Sequence, residues 1–172
     1  RRKFKILLDF MRIGCSVLLS DVDVIWLANP FAYLYRDSDV EGMTDGWDEP
    51  TSYGYDYAGG GAAGMLRVFA RNSGMFFLQA TNESLAMMSR LARRMEREHT
   101  WDQTAYNEEQ FYPAHGTHGA VGVSSRVMNY FCNLNSKTFF RFLREARAPP
   151  QLPASPHLAS SASPPPPSTV RH

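Results

Sequence analysis

The spacing of apolar residues at the start of the chain predicts a helix followed by a strand. Apolar residues recur at helical spacing at Phe4, Leu7, Leu8 and Met11. Gly14 follows as a candidate C-cap, and a strand is expected over 16–19. The apolar run 24–27 also reads as buried strand. Two aspartates therefore lie at or just past the end of the first predicted strand.

The next segments contain few periodic apolar positions. Asn29 and Pro30 have the pattern of an N-cap and a first helical position, which predicts a short helix over 31–35. Residues 36–50 are acidic and rich in turn formers. Residues 51–64 are rich in glycine, so a flexible loop is expected there.

A strand and an amphipathic helix are predicted in the middle of the chain. The strand covers 73–80 and follows an Asn-Ser-Gly turn at 72–74. Asn82 reads as the N-cap of a helix over 83–99. Its apolar stripe consists of Leu85, Met88, Leu91, Ala92 and Met95.

Three further elements complete the predicted domain. Thr100 and Gln103 have the spacing of a capping box at the start of a helix. A strand is expected around 121–129 and an amphipathic helix over 135–144. Helices that alternate with buried strands predict an α/β layered domain, in which ligands bind beyond the carboxyl ends of strands.

Composition divides the chain into two parts. Its 172 residues are 44% hydrophobic, which is enough for one core, but the last 25 hold eight of the eleven prolines and no aromatic residue. We therefore expect a globular domain over 1–147 and a disordered Pro/Ser-rich tail over 148–172.

The balance of charge limits the possible partners. Basic and acidic residues balance outside the tail, which argues against a nucleic-acid partner. The arginines that cluster read as a solvated helix face: Arg90, Arg93, Arg94 and Arg97. No apolar run is long enough to span a membrane. Because the chain opens with Arg1 directly into a helical pattern, we expect that an N-terminal part of the domain is missing.

Asp21 and Asp23 are the main candidate site. Alternate residues of an extended chain share a face, so two carboxylates there repel each other unless a cation lies between them. Mn²⁺ or Mg²⁺ would suit these oxygen ligands and would neutralise a nucleotide diphosphate. The alternative is a pair of capping or turn aspartates.

Other metal sites compete with this one. Asp37, Asp39 and Glu41, with Asp45 and Asp48, partly match an EF-hand loop and would indicate a calcium-binding module, although no exiting helix is expected after them. Zinc ligands could be assembled from Cys15, Cys132, His115 and His118, but the spacing matches no zinc module. His115 or His118 could instead supply a further ligand to the metal at Asp21 and Asp23.

Polar residues at two predicted element boundaries could contact a sugar. Asp102 and Gln103 begin a helix, where free N–H groups would meet an anion or a hydroxyl. Asn72, Ser73 and Gly74 could bind a sugar through amide and hydroxyl groups. The structural alternatives are helix capping for the first pair and a simple turn for the second group.

Four segments, which cover most of 4–145, carry a resemblance to a known family: VLLSDVDVIWLANPF, YRDSDVEGMTDGWD, RNSGMFFLQATNESLAMMSRLARRMEREHTWDQTAYNEEQF and VMNYFCNLNSKTFFRFLR. With them the chain resembles glycosyltransferase family 77, in particular its plant and green-algal members that build arabinose chains on hydroxyproline-rich wall proteins such as extensins. The resemblance implies a GT-A-like, Rossmann-like α/β domain and a UDP-sugar donor, with arabinofuranose as the expected sugar. It also implies a divalent metal, retention of anomeric configuration and a place in the Golgi lumen as part of a type II membrane protein.

Site residues follow from the resemblance position by position. Asp21 and Asp23 match the metal and donor-phosphate motif, and Asn72–Gly74 match the motif after the donor strand. Asp102 and Gln103 match a pair beside the reacting sugar. We expect that the upstream segment that cradles uridine in the family is missing from this stretch, which alone should then bind UDP weakly. The rival hypotheses are a calcium- or sugar-binding module and an inactive transferase relic.

Overall fold

The computed structural model describes residues 2–53, 70–111 and 122–140. The predicted tail over 148–172, with the boundary at 147, lies outside the described residues, and so do the two candidate histidines, His115 and His118.

The first helix and strand are confirmed. Helix α1, Arg2–Arg12, buries the predicted apolar stripe. Gly14 follows it in the left-handed region with φ of 86°, the usual conformation just after a helix end. Strand β1, Val17–Ser20, begins three residues later and ends immediately before Asp21.

Within the described residues, four strands form one mixed sheet in the order β1-β3-β2-β4. Strand β2 is Val40–Thr44, β3 is Arg71–Leu78 and β4 is Ser125–Val127. β3 is antiparallel to both β1 and β2, whereas β4 runs parallel to β2. The predicted α/β class is therefore confirmed, with a sheet of mixed direction.

In the part of the chain that the structure describes, three helices cover one face of the sheet. Helix α3 is Asn82–Arg97, and α4 is Asp102–Phe111. With α1 they enclose a core that includes Phe4, Phe76, Met88, Leu91 and Tyr106. A smaller cluster covers the other face: Leu34, Met43, Met75, Phe77 and Met128. Two short helices, α2 at Glu49–Tyr53 and α5 at Ser136–Thr138, complete the described part.

Several local predictions were wrong. The acidic segment predicted as turns contains β2, which is buried along its whole length, and the supposed loop after it begins within the one-turn helix α2. The run 24–27 forms no strand, and Ile25 and Leu27 are exposed. The helix predicted over 31–35 is a single 3-10 turn, Pro30–Ala32, although Asn29 does cap it.

The start of α3 also differs from the prediction by one residue. Thr81, not Asn82, is the N-cap, and Ser84 completes a capping box with it. The arginine face is only partly solvated. Arg90 is buried and donates to Glu109 at 2.8 Å, because α4 packs against this side of α3.

Candidate functional site

The candidate site lies where β1 ends and β3 begins. Ser20 pairs with Met75 in the antiparallel register, and the next backbone bond runs from Asp21 N–H to the carbonyl of Gly74 at 2.7 Å. The end of one strand therefore lies beside the beginning of the other. This pairing brings Asp21 to the motif Asn72–Gly74, which is separated from it by about fifty residues of sequence.

Asp21 and Asp23 are not on one extended strand. A turn follows β1, closed by a hydrogen bond from Val24 N–H to the Asp21 carbonyl at 3.2 Å. The Asp21 side chain is 41% exposed and Asp23 is also exposed. The predicted position at the strand end is confirmed, but the period-two argument for a shared face does not apply to a turn.

Asn72, Ser73 and Gly74 lie within β3 and do not form the predicted turn. The Asn72 side-chain oxygen accepts from Gly74 N–H at 2.7 Å. A Cβ atom at position 74 would lie 2.8 Å from that oxygen and 3.4 Å from Asp21 Oδ2. Glycine is therefore needed here because the polar groups of two strands approach the backbone closely.

Asp102 and Gln103 reach the same place from the first turn of α4. Gln103 Oε1 accepts from Ser73 N–H at 3.3 Å, and Ser73 Oγ lies 3.5 Å from Asp102 Oδ1 as a long hydrogen-bond donor. Gln103 Nε2 donates to Asp45 Oδ2 at 2.7 Å. The capping-box interpretation of Gln103 was wrong, since its amide points across to the sheet.

Asn107 fixes α4 against β3. Its side-chain oxygen accepts from Arg71 N–H at 2.8 Å, and its amide nitrogen donates to the Arg71 carbonyl at 2.9 Å. Beside it, the Tyr106 ring stacks on Phe76 with centroids 4.7 Å apart. These contacts hold the beginning of the helix, and with it Asp102, in a defined position over the strand.

Two charged residues of the site were missed by sequence reasoning. Lys3 Nζ lies 2.5 Å from Asp102 Oδ2 and 3.8 Å from Asp21 Oδ1. Asp45, just after β2, accepts from the amides of both Asn72 and Gln103. The only signal for Lys3 was its place beside the apolar stripe of α1. Asp45 was assigned to the EF-hand pattern.

Similarity to known proteins assigns the chain to a family. The family model described as nucleotide-diphospho-sugar transferase matches residues 1–151. The chain belongs to this family. The resemblance inferred from sequence segments, and the transferase fold expected from it, are thereby confirmed.

Curated relatives of this transferase-family chain come from Arabidopsis thaliana. Arabinosyltransferase RRA2 is 41% identical and arabinosyltransferase RRA1 is 37% identical, each over 83% of this chain. A third relative, UDP-D-xylose:L-fucose alpha-1,3-D-xylosyltransferase MGP4, is 31% identical over 52% of the chain. The chain spans only 35% and 37% of the two arabinosyltransferases. No solved structure matches it.

The EF-hand alternative does not fit the transferase fold. Glu41 lies in β2, is 1% exposed and accepts the backbone N–H groups of Tyr35 and Arg36. Partial burial tends to raise the pKa of the Asp39 carboxyl, but hydrogen bonds from Thr81 and Ser124 outweigh it and lower that pKa. These residues therefore hold loops to strands and do not form a calcium loop.

Asp21 and Asp23 carry the carboxylate oxygens that a divalent cation on a diphosphate takes as ligands. Mg²⁺ and similar ions are usually held by one or two carboxylates, with phosphate oxygens and water as the other ligands. Both carboxylates are open to solvent, and Asp23 has no polar partner in 2–53, 70–111 or 122–140. Over those same ranges, no three His, Cys, Asp or Glu side chains form a cluster able to hold an ion alone.

Two further observations concern thiols and membranes. Cys15 is exposed and Cys132 is half-buried, and both are free thiols. In the described part of the chain, no helix is long and apolar enough to cross a membrane.

Proposed function

We propose that the protein is a metal-dependent, retaining glycosyltransferase that moves a sugar from a UDP-sugar to a glycan acceptor. One observation supports this most. At one end of the sheet, three groups of residues meet: Asp21, Asn72–Gly74 and the Asp102–Gln103 pair. In the reaction, the bond between the anomeric carbon and the diphosphate oxygen breaks. The acceptor oxygen forms the new bond, and its proton passes to the departing diphosphate.

Asp21 and Asp23 would hold Mn²⁺ or Mg²⁺ together with the donor diphosphate. The bound ion would neutralise the negative charge that develops on the leaving group. Their exposure leaves both carboxylates accessible to a ligand that arrives from solvent. Asn72, Ser73 and Gly74 form the floor beside Asp21, where the missing side chain of Gly74 lets the Asn72 oxygen and the Asp21 carboxylate approach the backbone.

Asp102 and Gln103 would face the transferred sugar or the acceptor hydroxyl. Hydrogen bonds and ion pairs from three elements fix their side chains: α1 through Lys3, β3 through Ser73 and the end of β2 through Asp45. Because their orientation is set before substrate binds, little reorganisation is needed when charge develops on the sugar. The ammonium of Lys3 supplies a positive charge between the carboxylates of Asp21 and Asp102.

Arabinofuranose is the proposed sugar, and hydroxyproline-linked arabinosides of cell-wall glycoproteins such as extensins are the proposed acceptors. The names of the two arabinosyltransferase relatives support the sugar, and the UDP-D-xylose in the name of the third supports a uridine donor. The acceptor follows from the family resemblance. Donor screening with linkage analysis of the product tests both assignments.

A place in the Golgi lumen, as part of a type II membrane protein, belongs to the same proposal. Protease protection of the tagged protein in isolated Golgi vesicles is the test. We expect digestion only after detergent is added, and digestion of intact vesicles would contradict the assignment.

The transfer proposal is tested by Asp23→Ala, with Asp9→Ala as the matched control. Asp9 is an exposed carboxylate on α1 that pairs only locally with Arg12. We expect Asp23→Ala to abolish Mn²⁺-dependent UDP binding and transfer while leaving the fold intact, and Asp9→Ala to change neither. Calorimetry with Mn²⁺ and UDP separates the transferase from a calcium-binding module, because such a module would show no Mn²⁺-dependent binding of UDP. Full transfer by Asp23→Ala would refute the metal assignment.

A further inference from the structure

Asp45 joins the two amide side chains of the site. Its Oδ1 accepts from Asn72 Nδ2 at 2.8 Å and its Oδ2 accepts from Gln103 Nε2 at 2.7 Å. Each of the two carboxylate oxygens therefore accepts a hydrogen bond from a different amide. The two amides come from β3 and α4, so Asp45 links a strand and a helix that meet at the proposed sugar site.

This link determines which way both amides point. A carboxylate only accepts hydrogen bonds, so the NH₂ end of each amide must face Asp45. Each amide oxygen then faces the opposite way, toward a backbone donor. The Asn72 oxygen accepts from Gly74 N–H at 2.7 Å, and the Gln103 oxygen accepts from Ser73 N–H at 3.3 Å. Both amides are thus held at both ends.

The backbone on both sides of Asp45 is also fixed. Asp45 N–H donates to the Ala70 carbonyl at 3.0 Å. The buried amide of Asn135 donates to the carbonyls of Thr44 at 2.8 Å and Gly46 at 2.6 Å. The carboxylate is therefore presented from a segment that cannot shift easily.

We propose that Asp45 is a positioning residue for sugar transfer, which acts by fixing the amides of Asn72 and Gln103. This rests on the proposed function of the same site. Asp45 does not touch the reacting atoms. It acts through these two amides, which lie at the proposed sugar site, and small errors in such placement can lower a rate by about a hundredfold.

Asp45→Asn is the informative substitution because it keeps the shape and changes the bonding. An asparagine presents one acceptor and one donor to two amide donors, so one of the two amides must lose its partner or turn over. Asn72→Asp in the same chain restores the pattern. The new carboxylate at position 72 would accept from Gly74 N–H and from the new amide at position 45, while the amide oxygen at position 45 accepts from Gln103.

The experiment measures transfer from UDP-arabinofuranose by the two single variants and the double variant, with Asp9→Asn as the exposed control. We expect Asp45→Asn to lower kcat by about tenfold to a hundredfold with a change in KM for the donor of about threefold or less. The double variant should recover much of the kcat that Asp45→Asn loses. Its kcat should therefore exceed that of either single variant. Unchanged kcat in Asp45→Asn, or no recovery in the double variant, would overturn the proposal.

A second measurement does not depend on turnover. In ¹⁵N-labelled protein without donor, Asp45→Asn should shift the side-chain NH₂ signals of both Asn72 and Gln103, whereas Asp9→Asn should shift neither. Unshifted signals would overturn the positioning role. If wild-type protein transfers no sugar while the Asp45→Asn signals shift as expected, the proposed function fails and the fixing of the amides by Asp45 stands.

Discussion

The ammonium group of Lys3 lies 2.5 Å from the carboxylate of Asp102, so the first turn of α1 is tied to the first turn of α4. The same ammonium donates to the Ser73 carbonyl at 3.4 Å and lies 3.8 Å from Asp21. One positive charge therefore contacts three of the chain segments that form the candidate site, those of Asp21, Ser73 and Asp102. It also offsets the repulsion between the carboxylates of Asp21 and Asp102.

Lys3→Met should impair transfer more than folding. Partly exposed ion pairs contribute only about 1 kcal/mol or less to stability, so the free energy of unfolding should change little. Loss of the charge leaves Asp21 and Asp102 without their shared counter-ion, and we expect transfer to fall about tenfold or more. Lys5→Met, on the exposed side of the same helix, is the control. Equal rates for the two variants would show that Lys3 only holds α1 in place.

Gly74→Ala should displace the side-chain oxygen of Asn72. The new methyl group would lie 2.8 Å from that oxygen, closer than carbon and oxygen approach without strain. Overpacking of this kind typically costs about 1–3 kcal/mol. Removing the Asn72 side chain relieves the contact, so the double variant Asn72→Ala/Gly74→Ala should be more stable than the sum of the single effects. Additive changes in urea unfolding would disprove the predicted contact.

Arg90→Met should be strongly destabilising, unlike Arg93→Met on the exposed side of α3. Arg90 Nε donates to Glu109 Oε2 at 2.8 Å, and the two side chains are 7% and 1% exposed. Removing one partner of a buried ion pair typically costs about 3–5 kcal/mol, while an exposed substitution changes stability by about 0.5 kcal/mol or less. Urea unfolding of the two variants measures the difference. A small effect at Arg90 would mean that Arg94 alone neutralises Glu109.

The same pair predicts a dependence of stability on pH. Burial tends to raise the pKa of Glu109, but hydrogen bonds from Arg90 and Arg94 outweigh it and hold the pKa below its ordinary value of 4.5. The unfolded chain therefore binds more protons near that pH, and the stabilisation is lost as pH falls through the lowered pKa. Wild-type protein should be more stable than Glu109→Gln at pH 7, and the gap should narrow below pH 4.5. A constant gap in urea titrations would contradict this.

Thr81→Ala should destabilise α3 by about 1 kcal/mol, the usual cost of removing an N-cap. Thr81 Oγ1 accepts from Ser84 N–H at 3.2 Å and donates to Asp39 at 2.6 Å. Asn82→Ala is the matched control, since Asn82 is exposed and lies inside the helix. Thermal unfolding should separate the two. A larger destabilisation by Asn82→Ala than by Thr81→Ala would instead indicate that Asn82 is the N-cap.

Elements with a clear pattern of apolar residues were predictable from sequence, and elements stabilised by residues distant in sequence were not. The stripe of α1 and the run Met75–Leu78 in β3 are local signals. β2 contains Glu41 and Thr44, which read as polar turn residues. Glu41 is buried because its carboxylate is satisfied by the backbone of Tyr35 and Arg36, a bonding pattern that no period reveals.

The candidate site was likewise predictable only where its residues have a local signal in the sequence. Asp21 and Asp102 follow from position, at a strand end and at a helix start. Lys3 and Asp45 have their partners across the fold, so their roles depend on how β3 and α4 pack. The place of Asp21 beside Gly74 likewise depends on the antiparallel pairing of β1 with β3, and sequence spacing gives no measure of that distance.

The strand order β1-β3-β2-β4 also imposes an order of events during synthesis. The two strands made first never pair with each other, since β3 lies between them. On the ribosome, β1 and β2 remain unpaired until Arg71–Leu78 has been made, which takes roughly a few seconds at about 5–20 residues per second. Unpaired strand edges favour aggregation during this interval. Arrival of β3 ends it and delivers Asn72–Gly74 beside Asp21, so the nascent chain can form the first three strands of its sheet and its candidate donor site together, before β4 is made.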